Sequence, residues 1–197
     1  STIFDFCGKP IADLNLKKEK GDIRDRLNNR LKELGIEELI LLCPNCYYYL
    51  RDNLDIKISM IYEHDEIMES LISKDNSNKI QGLLFLPCPD KDSRTIYKML
   101  EKYIDNNSLI EITDIQCCGA GGCASIKEKG LTKDLQNGFK AYDMKIYLYC
   151  ATCAGMITKL NTNVEHILCK LLNTDEKISA GITTVKNRAL FSIKRQR

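Results

Sequence analysis

The sequence predicts an α/β fold of two pseudo-symmetric lobes, with mostly parallel sheets flanked by helices. Short apolar stretches of strand length alternate with stretches of helical periodicity, which is typical of parallel strands joined by helices. The segment containing Cys43-x-x-Cys46 also resembles the segment containing Cys150-x-x-Cys153. A chain of 197 residues can bury a core without disulfides, so the cysteines are free to serve another purpose.

The first half alternates helical and strand patterns. Ile23, Leu27, Leu31 and Leu34 fall at helical spacing, and Gly35 can end that helix. The elements predicted next are a strand over 38–43, an amphipathic helix over 47–54, a strand over 56–62 and a helix over 65–72. The polar segment 74–79 is the predicted linker.

The second half repeats the alternation. Asp92 or Ser93 is expected to cap its first helix. The elements predicted are a strand over 82–86, a helix over 96–103, a strand over 109–115, a helix over 131–142 and a strand over 145–149.

Four cysteines lie at the carboxyl ends of predicted strands. They are Cys43, Cys88, Cys117 and Cys150. The carboxyl edge of a parallel sheet is where ligands bind, and thiolates prefer soft metals and iron–sulfur clusters. This placement therefore predicts a thiolate site at the sheet edge.

The internal repeat predicts a boundary between the lobes. Both histidines, His64 and His166, follow a Glu and are expected to begin a helix after their repeat's C-x-x-C. We expect a first lobe over 1–76, and a second lobe over 77–197 that includes a basic C-terminal tail. The chain begins with Ser1, which leaves a longer natural N-terminus open.

Composition excludes several classes of protein. A formal net charge of +2 gives no drive toward nucleic acid, and no apolar run reaches the length of a membrane span. Residues 1–10 lack the pattern of a signal peptide. We therefore expect a cytoplasmic protein, in which C-x-x-C usually indicates metal or redox chemistry.

Five cysteines of the second half form the predicted ligand set, namely Cys88, Cys117, Cys118, Cys150 and Cys153. Adjacent cysteines in a regular strand point to opposite faces, so the glycines from Gly119 onward must redirect the backbone. A structural zinc site is the alternative, because four thiolates suffice for zinc. The C-x-x-C alone would also fit a redox dithiol.

The same motif carries a family resemblance. Cys117-Cys118-Gly119-Ala120-Gly121-Gly122, with Cys88 before it and Cys150-x-x-Cys153 after it, resembles the cysteine-rich CCG domain of heterodisulfide reductases and of related iron–sulfur oxidoreductases. The resemblance implies that the five cysteines bind a four-iron cluster (4Fe-4S, in a non-cubane form in those reductases). It also implies an electron-transfer subunit of an oxidoreductase, with a disulfide as acceptor. No nucleotide-binding motif is evident, so a redox partner subunit is expected to supply the electrons.

The first repeat departs from the family pattern. Phe6 stands where the family has the first Cys of the doublet, and no Cys precedes it. The thiols that remain, Cys7, Cys43 and Cys46, leave two interpretations open: a second metal site completed from elsewhere, or a vestige.

Other candidates have plainer interpretations. We expect Cys123 and Cys169 to be small packed side chains, with an approach of Cys123 to the site as the alternative. We expect the two histidines to be helix-start or packing residues, with hydrogen bonding to a cluster sulfur as the alternative. The tyrosines beside each C-x-x-C are expected mainly in the core.

Overall fold

The computed structural model describes residues 7–72, 80–121, 127–174, 176–179, 182–183, 186–187 and 190. Phe6, Cys123, the predicted linker 74–79 and most of the basic tail lie outside the described residues. Within the described part of the chain, no helix is long and apolar enough to cross a membrane.

The strands form two sheets. One sheet pairs β1 (Glu38–Leu41) with β2 (Lys57–Met60) in parallel. The other has four strands in the order β4-β3-β5-β6, also parallel throughout. Its strands are β3 (Gly82–Leu84), β4 (Leu109–Glu111), β5 (Ile146–Leu148) and β6 (Val164–His166). The predicted α/β class with parallel sheets is confirmed.

Helices connect these strands. They are α1 (Lys9–Asp13), α2 (Lys17–Glu33), α3 (Pro44–Leu50), α4 (Asp65–Leu71), α5 (Thr95–Leu100), α6 (Lys129–Gly138), α7 (Ala151–Ile157) and α8 (Ile167–Leu171). The long helix α2 ends as predicted, because Gly35 follows it with φ of 62°. Both histidines immediately precede helices as expected, His64 before α4 and His166 before α8.

The strands are shorter than the apolar runs that predicted them. The run over 109–115 is a strand only as far as Glu111. Beyond it the Ile112 N–H still donates to the Leu84 carbonyl of β3 at 2.9 Å, and Ile112 and Ile115 are both buried in the core. The short strand β6 was not predicted, because three residues carry too little periodicity.

The predicted cap of α5 is wrong in part. Arg94 is the residue before this helix, in the left-handed region with φ of 52°. The Asp90 carboxylate accepts hydrogen bonds from the backbone N–H groups of Ile96 and Tyr97, both at 2.9 Å. Ser93 contributes a longer bond of 3.4 Å from the N–H of Thr95. The chief cap therefore comes from Asp90, which lies further from the start of the helix than a capping residue usually does.

One core joins the two halves of the chain. Its members from the first half are Tyr47, Met60, Tyr62 and Met68, and its members from the second half include Ile80, Leu84, Leu86, Ile96 and Tyr149. A second core packs Phe85 and Phe139 beside the second-half cysteines, and a third lies under α2. The halves thus share buried surface, while the boundary near residue 76 remains a prediction.

Strand register identifies equivalent positions in the two repeats. Leu41, two residues before Cys43, pairs with Met60, and Leu148, two residues before Cys150, pairs with His166. The structural counterpart of His166 is therefore Met60. His64 lies four residues further on, so the matching Glu-His pairs of the sequence are not equivalent in the fold.

Candidate metal centre

The five predicted ligands of the second half meet at one edge of the four-stranded sheet. Strand β3 lies between β4 and β5, so the segments that follow these three parallel strands are neighbours. Hydrogen bonding links the thiols pairwise: Cys88 with Cys117, Cys117 with Cys118, Cys118 with Cys153, and Cys153 with Cys150. We call this set the five-thiol cluster. Its ligand role remains a prediction.

Gly119 turns the backbone so that both thiols of the doublet join the cluster. Its φ of 72° lies in the left-handed region, and an added Cβ would lie 2.8 Å from Thr132 Cγ2 on α6. The Gly119 N–H lies 3.2 Å from Cys117 Sγ, and Gln136 donates to the Cys118 carbonyl at 3.4 Å. The glycine requirement predicted for this turn is thus met at Gly119.

Hydrogen bonding divides the thiols of the cluster into two kinds. Bonds with Cys118 and Cys88 lower the pKa of Cys117 to about 2, and the bond with Cys153 lowers the pKa of Cys150. The bond with Cys117 raises the pKa of Cys118 to about 12. The bond with Cys117 also raises the pKa of Cys88, while bonds with Cys118 and Cys150 raise that of Cys153. Thiolate character is therefore concentrated on two sulfurs that the other thiols stabilise.

Lys91 brings a positive charge to the cluster. Its ammonium donates to the Ile115 carbonyl at 2.7 Å, which holds it beside the segment leading into the doublet. Burial lowers the pKa of Lys91, while the negative charges of Cys117 and Cys88 act in the opposite direction. Sequence reasoning missed this residue, although its position three residues after Cys88 was an available signal.

Asp90 is the second residue that sequence reasoning missed. It is fully buried, two residues after Cys88. Besides the two backbone N–H groups of α5, its carboxylate accepts hydrogen bonds from the Tyr48 and Tyr149 hydroxyls, both at 2.5 Å. Tyr48 follows the first C-x-x-C and Tyr149 precedes the second. One buried carboxylate therefore fixes the segment of Cys88 against both repeats.

The first repeat reproduces part of this geometry. Cys46 hydrogen-bonds to both Cys7 and Cys43, as Cys153 does to Cys118 and Cys150. Gly8 follows Cys7 with φ of 85°, like Gly119 after Cys118. We call Cys7, Cys43 and Cys46 the three-thiol cluster.

The three-thiol cluster shows the same division between thiols. Hydrogen bonding with Cys46 lowers the pKa of Cys7 to about 6 and that of Cys43 to about 7. The same hydrogen bonds raise the pKa of Cys46, and the bond with Cys43 has the larger effect. The pKa of Cys46 is thus raised by its two thiol neighbours, as the pKa of Cys153 is in the second repeat.

The two clusters are adjacent. Asn45, inside the first C-x-x-C, donates a hydrogen bond to Cys150 Sγ at 3.6 Å. The charge on Cys43 also acts on Cys150. Asn45 is a third residue missed from the sequence, because a contact across 105 positions leaves no local pattern.

The hydrogen bonds of the two histidines go to groups other than the thiols. His64 Nε2 pairs with Ser59 Oγ at 2.8 Å. His166 accepts at Nδ1 from the Leu168 N–H and also bonds the Tyr149 backbone. Cys169 is half-buried rather than in the core, because α8 turns Ile167 and Leu171 inward instead. Cys123 lies outside the described residues, so its predicted packing stays a prediction.

The donors of the five-thiol cluster are soft sulfur atoms. Within the described ranges, no three or more Cys, His, Asp or Glu side chains form a group arranged to hold a metal ion. All nine cysteines in the described ranges are free. Soft thiolates, a nearby ammonium and a glycine turn match the chemistry that an iron–sulfur cluster requires.

Comparison with known proteins identifies the second half of the chain. Residues 83–158 match the family model of the cysteine-rich CCG domain. Comparisons with curated proteins and with solved structures gave no match. The matched segment contains all five thiols of the five-thiol cluster and none of the three-thiol cluster. Residues 83–158 are therefore a cysteine-rich domain of the CCG family.

Proposed function

We propose that the five-thiol cluster binds a four-iron iron–sulfur cluster, and that the protein is an electron-transfer subunit of a heterodisulfide-reductase-like oxidoreductase. The observation that carries the proposal is the placement of all five cysteines in the segments that follow β3, β4 and β5, three neighbouring parallel strands of one sheet. The CCG-domain match over residues 83–158 supports a metal-binding or iron–sulfur module.

The number and nature of the donors favour iron and sulfide over zinc. A structural zinc ion is held by four ligands around one point. Five thiols that contact in pairs offer more sulfur than such a site uses, and a multi-iron body provides separate points of attachment. When bound, the cluster would supply reversible electron transfer.

The chain's own residues would hold and tune the site. The Lys91 ammonium partly offsets the negative charge of the thiolates. Asp90 fixes the turn that follows Cys88, through its bonds to Tyr48 and Tyr149. The Asn45 side chain donates to the sulfur of Cys150, and hydrogen bonds to ligand sulfur alter reduction potential.

Partners and location complete the proposal. Electrons would arrive from a redox partner subunit and leave to a disulfide or a related acceptor. A cytoplasmic protein would keep its thiols reduced and able to bind metal.

Iron and sulfide analysis with electron paramagnetic resonance tests the proposal. The chain should be reconstituted without oxygen, then freed of unbound metal. We expect about four irons and a similar amount of sulfide per chain, with a brown colour and a paramagnetic signal in one oxidation state. One equivalent of zinc, with no retained iron or sulfide, would overturn the proposal in favour of a structural or regulatory zinc module.

A further inference from the structure

We propose that the three-thiol cluster is a thiol–disulfide exchange site for small disulfides, with Cys46 as the thiol shared between two partners. Its members are Cys7, Cys43 and Cys46. This is a function in addition to cluster binding, and its chemistry does not require the iron–sulfur cluster of the second repeat.

Two pairs of sulfurs in this cluster are close enough to be candidates for a disulfide. Cys46 is hydrogen-bonded to Cys43 on one side and to Cys7 on the other. Cys43 precedes α3 in an extended conformation, and its carbonyl accepts from the Tyr47 N–H at 3.0 Å, which fixes the turn containing Cys46. The Cα atoms of residues three apart on a helical turn lie about 5 Å apart, within the Cα–Cα range that a disulfide requires.

The first C-x-x-C pair is more exposed to solvent than the second, and exchange requires thiols that a dissolved disulfide can reach. Cys43 and Cys46 are half-buried, while Cys150 and Cys153 are at most 3% exposed. A small disulfide can therefore reach the first pair more readily than the second. Exchange also requires only two sulfurs, and Phe6 stands in this repeat where the second repeat has Cys117.

The exchange balances in two steps. The Cys43 thiolate attacks one sulfur of a small disulfide, forming a mixed disulfide and releasing one thiolate, which takes up a proton from water. Cys46 then loses its proton to water and attacks the Cys43 sulfur, forming the Cys43–Cys46 disulfide and releasing the second thiolate. One protein thiolate and one protein thiol are oxidised to the disulfide, and the small disulfide is reduced to one thiol and one thiolate. Cys7 is the alternative first attacker, because it also contacts Cys46.

Peptide mapping after anaerobic exchange tests the proposal on the full, iron-reconstituted chain. The protein would be equilibrated with oxidised and reduced glutathione at graded ratios, quenched in acid, alkylated and digested with trypsin. Cys43 and Cys46 fall in one tryptic peptide, 33–51, while Cys7 lies in peptide 1–17, because Pro10 blocks cleavage after Lys9. A Cys43–Cys46 disulfide thus gives peptide 33–51 two hydrogens lighter and unalkylated. A Cys7–Cys46 disulfide joins the two peptides.

Matched variants separate the outcomes. We expect Cys46→Ser to abolish both products, Cys43→Ser to leave the joined peptides, and Cys7→Ser to leave the lighter peptide. Cys169→Ser, which removes a half-buried thiol elsewhere, should change neither product. Cys153→Ser should lose iron yet retain the exchange, so failure of the cluster proposal would be distinguishable from failure of this one.

Two results would overturn the inference. One is full alkylation of Cys43 and Cys46 at every glutathione ratio in the wild-type chain. The other is loss of iron from Cys46→Ser equal to the loss from Cys153→Ser, since the three thiols would then be metal ligands.

Discussion

The two repeats share a backbone plan and differ in their thiols. In each, a short parallel strand leads to a C-x-x-C whose first Cys precedes a helix, with φ and ψ of −106° and 118° at Cys43 and −120° and 114° at Cys150. In each, a Cys followed by a glycine with positive φ reaches the last Cys of the C-x-x-C. The second repeat has Cys117 where the first has Phe6, and it buries its C-x-x-C. The comparison teaches that three thiols and a glycine turn form the shared frame, and that the thiol doublet and the burial distinguish the proposed metal site.

The largest expected effect follows from removing either thiol of the second C-x-x-C. Cys153→Ser or Cys150→Ser should abolish the cluster absorption, because a hydroxyl is a poor replacement for thiolate on iron. The measurement is the visible spectrum after anaerobic reconstitution. Cys169→Ser is the control and should retain the spectrum. The reverse pattern would show that the ligand set is wrong.

The shared buried carboxylate gives the next largest effect. Asp90→Asn replaces an acceptor oxygen by an NH₂ group facing N–H and hydroxyl donors, so unfolding in urea should require about 3 kcal/mol less free energy. Asp92→Asn is a matched control, since Asp92 is exposed, and should change stability little. Equal stability of the two variants would contradict the role of Asp90 in joining the repeats.

The two glycine turns offer a direct comparison of the repeats. Gly119→Ala and Gly8→Ala each force a Cβ into a positive-φ position, with contacts of 2.8 Å to Thr132 and 3.0 Å to Ile23. Each should cost about 2 kcal/mol of unfolding free energy, and only Gly119→Ala should also reduce iron content. Gly121→Ala, where an added Cβ meets nothing within 4 Å, should be close to neutral. Iron loss from Gly8→Ala alone would reverse the proposed roles of the repeats.

A further effect concerns pH. Burial lowers the pKa of His166 to about 4 in the folded chain, against a usual value of 6.5. The unfolded chain binds the proton more readily, so this residue's contribution is full above pH 6.5 and declines as pH falls toward 4. The decline should amount to at most about 3 kcal/mol, measured by urea unfolding of the metal-free chain. His166→Gln should flatten this part of the pH profile, and an unchanged profile would contradict the assignment.

Local patterns in the sequence were sufficient for most strands and helices and for the placement of the thiols. Cys88, Cys117 and Cys150 each follow a predicted strand, and parallel strands bring such positions to one edge. Residues that act across the fold left no local pattern. Asn45 and Asp90 bond to partners in the other half of the chain, and no periodicity reports such contacts. His64 and His166 match in the sequence but not in the fold, because the register between paired strands sets which positions correspond.

Iron counting on paired variants tests the central claim most directly. The first variant removes Cys43 and Cys46 together, and the second removes Cys117 or Cys118. Each would be reconstituted without oxygen and analysed for iron and visible absorbance per chain. The asymmetry between the repeats predicts that the first variant keeps most of its iron, while the second loses most of it. Equal loss from both would contradict the account, because Cys7, Cys43 and Cys46 would then hold metal themselves.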